Sequence, residues 1–183
     1  MRVISGEAGS LPLRVPRSLT RPTTDRVREA VFSSLGDFVV DAMVLDLFAG
    51  SGALGIEALS RGAREATFVE ENREAVEVIR SNLAATRLEN GIVRQQKVAS
   101  FLTSTPSSGY SLLFADPPYA KTPEELTSLE EFLSLERLSD CLSQDGIFVL
   151  ESYSGVSLPE LRQWKILREK TYGNTRVSYL QRI

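Results

Sequence analysis

Short apolar runs alternate along the chain with longer segments whose apolar residues recur at helical spacing. The short runs have the length of buried strands, and the longer segments have the period of amphipathic helices. The pattern predicts seven strands, at 43–48, 66–70, 91–96, 111–115, 146–151, 165–171 and 176–181. It predicts helices at 24–35, 53–61, 71–88, 98–103 and 123–143 (the last one broken), and a short turn near 159–162.

The alternation of strands and helices favours an α/β fold, a mostly parallel sheet with helices on both faces. The last two predicted strands flank Tyr172–Thr175, whose sequence YGNT is typical of a hairpin turn, so the final strand is expected to be antiparallel. The 183 residues, 42% of them hydrophobic, suffice for one domain with a sizeable core. The prediction is a Rossmann-like, seven-stranded, mostly parallel sheet.

A glycine-rich turn follows the first predicted strand. The segment 44–55 has the sequence VLDLFAGSGALG, and the spacing of Gly50, Gly52 and Gly55 fits the dinucleotide-binding fingerprint. Glycines let the backbone approach a ligand closely, and the N–H groups at the start of the following helix favour an anionic group. This motif alone also suits a nicotinamide or flavin enzyme, and a tight turn without a ligand would need glycine as well.

Glu70 ends the second predicted strand, twenty residues after Gly50. A carboxylate at this position can accept hydrogen bonds from two ribose hydroxyls of an adenosine cofactor. With Glu71 beside it, Glu70 is equally placed to be a solvated strand end. The two glycines and the carboxylate therefore indicate a nucleoside ligand without naming it.

The sequence DPPY, residues Asp116, Pro117, Pro118 and Tyr119, follows the apolar run that ends at Ala115. The two prolines stop the strand and contribute carbonyls without N–H donors. Together with the carboxylate they can accept both N–H bonds of an exocyclic amine on a flat ring, while the tyrosine stacks on that ring. Asp and Pro are also ordinary turn residues, so the motif gains weight only from its neighbours.

Glycine turn, acidic strand end and DPPY occur in the order found in class I S-adenosylmethionine-dependent methyltransferases. Two further segments make the resemblance specific: residues 21–32, RPTTDRVREAVF, and residues 48–61, FAGSGALGIEALSR. Both resemble signatures of the bacterial 16S ribosomal RNA guanine-N2 methyltransferases that modify guanine 966. The likeness extends over the whole chain in layout, which implies a single methyltransferase domain over 1–183, with a basic N-terminal arm at 1–22 and a catalytic core at 23–183.

The resemblance implies roles for individual residues. The cofactor S-adenosylmethionine is expected near Asp46, Phe48, Gly50, Ser51, Gly52, Glu70, Val98, Ala99, Thr23 and Thr24. Catalysis is expected at the DPPY segment, with Asp116 orienting the amine and offsetting developing positive charge. The target base must leave its stack before Tyr119 can hold it.

Net charge alone does not indicate a nucleic-acid binder, because the chain carries −3 overall. Residues 1–28, however, contain six arginines against Glu7 and Asp25, so the remaining residues sum to −7. Contacts to phosphates are expected from this basic segment. The arginines proposed for them are Arg14, Arg17, Arg21, Arg26 and Arg28.

Composition excludes several other chemistries. The chain has no histidine and one cysteine, Cys141, so histidine-based hydrolysis, a disulfide and a cysteine metal cluster are excluded, and no metal is expected. Cys141 is expected in or at the edge of the core, far in sequence from Pro117, which argues against carbon methylation of cytosine. Without a signal pattern or a long apolar run, the protein is expected in the cytoplasm, away from membranes.

The hypothesis is a transfer of methyl from S-adenosylmethionine to the N2 amine of a guanine in 16S ribosomal RNA, within an assembled small subunit or its precursor and without an obligate protein partner. One alternative is a DNA adenine-N6 methyltransferase, which would use the same DPPY chemistry but usually carries a further target-recognition domain. Another is a nicotinamide-dependent oxidoreductase or a nucleotide-binding module, which would leave DPPY unexplained.

Overall fold

The computed structural model describes residues 1–17, 24–105 and 109–183. Within them the chain forms two compact units, residues 1–98 and residues 99–183. Arg21 and Thr23, both expected at a binding site, lie outside the described residues. That the two units act as one catalytic domain stays a prediction.

The first unit contains a parallel sheet with the strand order β3-β2-β1. Its elements are α1 (Asp25–Leu35), a 3-10 helix (Gly36–Val39), β1 (Met43–Leu47), α2 (Ala53–Ser60), β2 (Glu65–Glu70), α3 (Arg73–Thr86) and β3 (Gly91–Gln95). Val44 pairs with Ala66 and Phe68 pairs with Val93. The four inner residues of β2 are buried, as an apolar strand between two parallel neighbours requires.

The first 14 residues are folded against α2. Val3, Ala8 and Leu13 are buried, and a β-bridge joins Arg2 to Pro12. The carboxylate of Glu57, which is fully buried on α2, accepts hydrogen bonds from the backbone N–H groups of residues 4 and 5 at 2.6 and 3.1 Å. The arm is therefore held by side-chain acceptors as well as by apolar contacts.

Arg28 corrects one expectation about this basic segment. Its side chain is fully buried, donates to the carbonyl of Arg2, and pairs with Asp25 at 2.8 Å. Burial lowers the pKa of its guanidinium, while the charges of Asp25 and Glu57 oppose that shift. A buried arginine that fixes the arm cannot contact a phosphate, so the proposed RNA contact of Arg28 is wrong.

The second unit contains a mixed sheet with the strand order β4-β5-β7-β6. Its elements are α4 (Val98–Ser104, beginning at the boundary), β4 (Tyr110–Ala115), α5 (Pro123–Leu133), α6 (Glu136–Cys141), β5 (Leu142–Tyr153), β6 (Trp164–Tyr172) and β7 (Thr175–Arg182). β4 and β5 are parallel, whereas β7 is antiparallel to both β5 and β6. The β6–β7 hairpin turns at Gly173, whose φ of +61° suits glycine.

All seven predicted strands are present, and the predicted hairpin is confirmed. The helical pattern at 123–143 forms two helices, and β5 begins at Leu142, earlier than predicted. The short turn predicted near 159–162 is present at residues 162–163, whereas the 3-10 helix at Gly36–Val39 was not anticipated. Across the described ranges, no helix combines the length and apolar character needed to cross a membrane.

We predict that Glu57→Ala lowers the free energy of unfolding by about 2–4 kcal/mol, because two backbone N–H groups and the Arg61 side chain lose their acceptor inside the protein. Urea denaturation measures this change. The matched control is Glu77→Ala, since Glu77 also pairs with an arginine (Arg80, 2.8 Å) but lies exposed. The control should change stability by less than about 0.5 kcal/mol. Equal losses in both variants would contradict the role assigned to Glu57.

Candidate functional site

The glycine turn leaves β1 through a run of unusual backbone angles. Phe48, Gly50 and Gly52 have φ values of +57°, +54° and +75°. Gly52 is the N-cap of α2 and, as a glycine, offers no side-chain acceptor of its own to this helix end. A non-glycine residue with positive φ is strained, and such strain is commonly held at binding sites. Because Gly50 and Gly52 have no side chains, a ligand at this turn can approach its backbone closely.

Asp46 orders this turn from beneath. The side chain is 2% exposed, and its Oδ2 accepts a hydrogen bond from the N–H of Gly55 at 2.9 Å. A Cβ on Gly55 would lie 2.3 Å from the ring of Phe68, so only glycine lets α2 pack this closely on β2. The contact of Asp46 with Gly55 gives Asp46 a role in ordering the glycine turn. Burial, reinforced by the negative charge of Glu70, raises the pKa of Asp46 to about 8.

Glu70 lies half-buried at the end of β2 and bonds to the same turn. Its Oε2 accepts from the N–H of Gly50 at 2.9 Å, and its Oε1 accepts from the N–H of Asn72 at 2.8 Å. Each carboxylate oxygen has two lone pairs, so one on each oxygen remains for a further donor. Glu70 is thus more than a solvated strand end, because it fixes the glycine turn and keeps acceptor capacity for two hydroxyls.

Asn82 joins the glycine turn to the N-terminal arm. This side chain on α3 is 1% exposed, and its amide donates to the carbonyls of Ser51 and Arg14 at 2.9 and 3.0 Å. Its Oδ1 accepts from the N–H of Arg14 at 2.8 Å. A single buried amide therefore fixes the turn and the arm together. Sequence reasoning missed it, although an asparagine on the apolar face of a predicted helix is a usable signal.

The structure gives the positions of the other residues expected at the site in the first unit, but it does not test their contacts with a ligand. Val98 is buried and Ala99 is exposed at the start of α4, which two residues separate from the end of β3. Thr24 caps α1 by accepting from the N–H of Val27. The side chains of Arg14, Arg17 and Arg26 are exposed. Their contacts with cofactor or RNA stay predictions.

The DPPY segment follows β4 in the second unit. Asp116 is half-buried, Pro117 is buried and Pro118 is exposed. The hydroxyl of Tyr119 donates to Glu151 at 3.2 Å and lies 2.6 Å from the hydroxyl of Thr175. Two neighbouring strands, β5 and β7, therefore anchor the tip of the tyrosine side chain.

The electrostatics of the second unit keep Tyr119 protonated. Burial, with the charges of Glu151 and Asp116, raises the pKa of Tyr119 to about 12. The neutral phenol stays a hydrogen-bond donor at physiological pH. Its ring also packs against Tyr153, with centroids 5.9 Å apart. The tyrosine is positioned as a rigid aromatic surface and is not poised as a base.

The sequence gives no indication of the roles of Glu151 and Thr175, because nothing in their own segments marks them. Cys141 is buried on α6 as expected, and burial raises the pKa of its thiol to about 11, which suits an unreactive core residue. In the part of the chain that the structure covers, no group of three or more Cys, Asp or Glu residues could hold a metal ion.

We predict that a rise in pH lowers the free energy of unfolding of the wild-type protein more than that of the Asp46→Asn variant. Because the folded-state pKa of Asp46 is raised to about 8, the group contributes most stability below its unfolded pKa and loses it as the pH approaches 8. Between pH 5 and pH 8 the loss should approach about 4 kcal/mol, at 1.36 kcal/mol per unit. Urea denaturation of both proteins at each pH measures it. A difference that does not change with pH would refute the buried, protonated carboxyl.

Sequence comparison with known proteins gives a consistent result. A family model described as "Conserved hypothetical protein 95" matches residues 1–181. The "Ribosomal RNA small subunit methyltransferase D" of Escherichia coli K12 is 38% identical over 184 aligned residues, which cover 100% of this chain and 90% of that protein. The protein of the same name from Haemophilus influenzae is 32% identical, covering 94% of this chain and 89% of its own length.

The fold is similar to that of a solved structure from Escherichia coli titled "Putative methyltransferase yhhF". The TM-score is 0.83 at 37% identity, and the match covers 100% of this chain and 97% of the other. This likeness confirms the expected class I methyltransferase fold. Because the family model and the relatives each match nearly the whole chain, the protein belongs to the family described as conserved hypothetical protein 95, which is the small-subunit ribosomal RNA methyltransferase D family.

Proposed function

We propose that the protein transfers a methyl group from S-adenosylmethionine to the exocyclic N2 amine of a guanine in small-subunit ribosomal RNA. The observation that carries the proposal is the DPPY segment at the end of a buried strand, in a chain 38% identical to a ribosomal RNA small subunit methyltransferase D. The choice of guanine N2 rests on the resemblance of residues 21–32 and 48–61 to the guanine-N2 enzymes.

The residues of the first unit fit an adenosine cofactor. Gly50 and Gly52 carry no side chain where the backbone has positive φ, and Glu70 retains two lone pairs for ribose hydroxyls. Asp46 accepts a hydrogen bond from the N–H of Gly55 in α2, so its role is to order the glycine turn. Bound S-adenosylmethionine would supply an electrophilic methyl group on its sulfonium, so no metal and no covalent enzyme intermediate are needed.

The residues of the second unit fit the methyl acceptor. Asp116 and the carbonyls of Pro117 and Pro118 accept the N–H bonds of the guanine amine, and Tyr119 stacks on the flipped base. Because Glu151 and Thr175 hold the tyrosine hydroxyl, little side-chain freedom is lost when the base arrives. Orientation of the amine is the main contribution of these residues to the rate.

The preferred substrate is an assembled small subunit or its precursor, in the cytoplasm and without an obligate protein partner. Of the arginines proposed for phosphate contacts, Arg14, Arg17 and Arg26 are exposed in the described residues, whereas Arg28 is buried. Few phosphate contacts leave little interface with which to find and unstack one guanine in naked RNA. A particle that already presents the base weakly stacked removes that cost.

The proposal predicts methylation of one guanine in small subunits and much less in naked RNA. Methyl incorporation into both substrates, followed by mass mapping of the modified nucleotide, measures this. Asp116→Ala is the inactive control, because it removes an acceptor for the amine and should leave the binding of S-adenosylhomocysteine unchanged. Methylated adenine in DNA, or no methylated guanine in either RNA substrate, would refute the assignment.

We also predict that Glu70→Ala weakens the cofactor by about 1.5–3 kcal/mol, which is roughly 10- to 150-fold in affinity. Calorimetry with S-adenosylhomocysteine measures the loss, and a high concentration of S-adenosylmethionine should restore much of the activity. Glu71→Ala is the matched control, since Glu71 is the exposed neighbour. Unchanged affinity in Glu70→Ala would leave Glu70 with a structural role only.

A further inference from the structure

The C-terminal hairpin is a second basic segment, at the opposite end of the chain from the arginine-rich start. Residues 160–183 contain six Lys and Arg against two Glu, a net charge of +4. Residues 29–159 contain nine Lys and Arg against twenty Asp and Glu, a net charge of −11. The two ends of the sequence therefore carry a net positive charge, and the segment between them is net negative.

A β-bulge brings three of these cations onto one face of the sheet. In the β6–β7 ladder Lys165 pairs with Gln181 and Ile166 with Leu180, but the next partner, Tyr179, pairs with Arg168. Leu167 is the extra residue, and it reverses the alternation of side chains that follows. Without the bulge, Lys165 would face away from Arg168.

Three cations of β6, Lys165, Arg168 and Lys170, form a row, and their pairing partners on β7 show that they share one face of the sheet. Directly opposed residues of antiparallel strands share a face, and Gln181, Tyr179 and Val177 alternate along β7 on one side. Lys165, Arg168 and Lys170 therefore lie on that side, and the row they form spans about 14 Å, four strand positions at roughly 3.4 Å each. Every residue from 165 to 171 is exposed.

The same face leads toward the tyrosine of DPPY. On this face, the next pair after Lys170 and Val177 is Tyr172 with Thr175. The hydroxyl of Thr175 lies 2.6 Å from that of Tyr119. Arg176, on the opposite face of β7, pairs with Glu169 at 3.4 Å and donates to the carbonyl of Val156. Lys165, Arg168 and Lys170 are exposed and lie on the face of the hairpin that includes Thr175.

We propose that Lys165, Arg168 and Lys170 bind the phosphate backbone of the RNA strand that leads to the target nucleotide. The inference rests on the proposed function and adds a docking surface to it. Phosphates are the complementary partner for a row of exposed cations on an otherwise acidic protein. Tyr172, at the end of the row, offers a ring on which a flanking base can stack.

Protection of the sheet edge is the competing explanation for this strand. Lysines and bulges on an edge strand discourage pairing with another chain. That function needs charges on the edge but does not need them on a single face. A second copy of the chain pairing along β6 is the other possible occupant, and both explanations are separated from RNA binding by the test.

The test compares the wild-type protein with the triple variant Lys165→Gln, Arg168→Gln, Lys170→Gln. The control variant removes three exposed arginines elsewhere, Arg64→Gln, Arg80→Gln and Arg137→Gln, so both variants lose the same charge. Binding to naked small-subunit RNA and to small subunits is measured across a salt series with S-adenosylhomocysteine present, so that methyl transfer does not enter the result.

The row variant should lower the slope of log affinity against log salt by about 2, at 0.7–0.9 for each lost phosphate contact. If affinities are equal near 1 M salt, this slope corresponds to about 100-fold weaker binding at 0.1 M. The control variant should keep most of the slope, and S-adenosylhomocysteine should bind all three proteins equally.

A row variant that matches the control in slope and affinity overturns the inference while leaving the proposed function intact. A dimer of the wild-type protein that dissociates in the row variant, with RNA affinity unchanged, overturns it in favour of pairing along β6. A wild-type protein that methylates no guanine but binds RNA through the row refutes the proposed function and supports the inference.

Discussion

Backbone N–H groups in the N-terminal arm and around the glycine turn need acceptors, and in the first unit buried or half-buried carboxylates supply them. Glu57 accepts from residues 4 and 5, Asp46 accepts from Gly55, and Glu70 accepts from Gly50 and Asn72. An unmatched buried N–H costs about 1–3 kcal/mol, so these side chains determine which turn conformations are stable. The positive φ angles of the glycine turn persist because the surrounding acceptors fix them.

In the second unit a hydroxyl network has the same effect on an aromatic ring. Tyr119 is immobilised at its tip by Glu151 and Thr175 and along its ring by Tyr153. Thr175 is available there because β7 runs antiparallel and begins immediately after the hairpin turn. A feature of topology, the reversed last strand, thus contributes directly to the geometry of the candidate acceptor site.

The sequence predicted what depends on local pattern. Seven strands, the YGNT hairpin and the glycine turn follow from apolar runs and from residues that suit particular φ angles. The sequence did not reveal that Arg28 is buried or that Glu57 accepts from the arm, because both depend on contacts between distant segments. The bulge at Leu167 was equally invisible, since one extra residue in a strand leaves the apolar pattern nearly unchanged. Each of these misses concerns the surroundings of a charged side chain, which composition alone cannot give.

The distribution of charge gives this small protein selectivity that its net charge hides. Residues 29–159 carry a net charge of −11, so we expect an RNA backbone to be attracted mainly by the two basic terminal segments. An evenly basic protein of this size would bind RNA in many orientations, most of them unproductive. Repulsion from the middle of the chain removes those orientations without any base-specific contact, because like charges brought together at an interface are costly. Under the proposed function, specificity for one guanine then depends on where the protein docks, and the DPPY segment is needed only to recognise the amine.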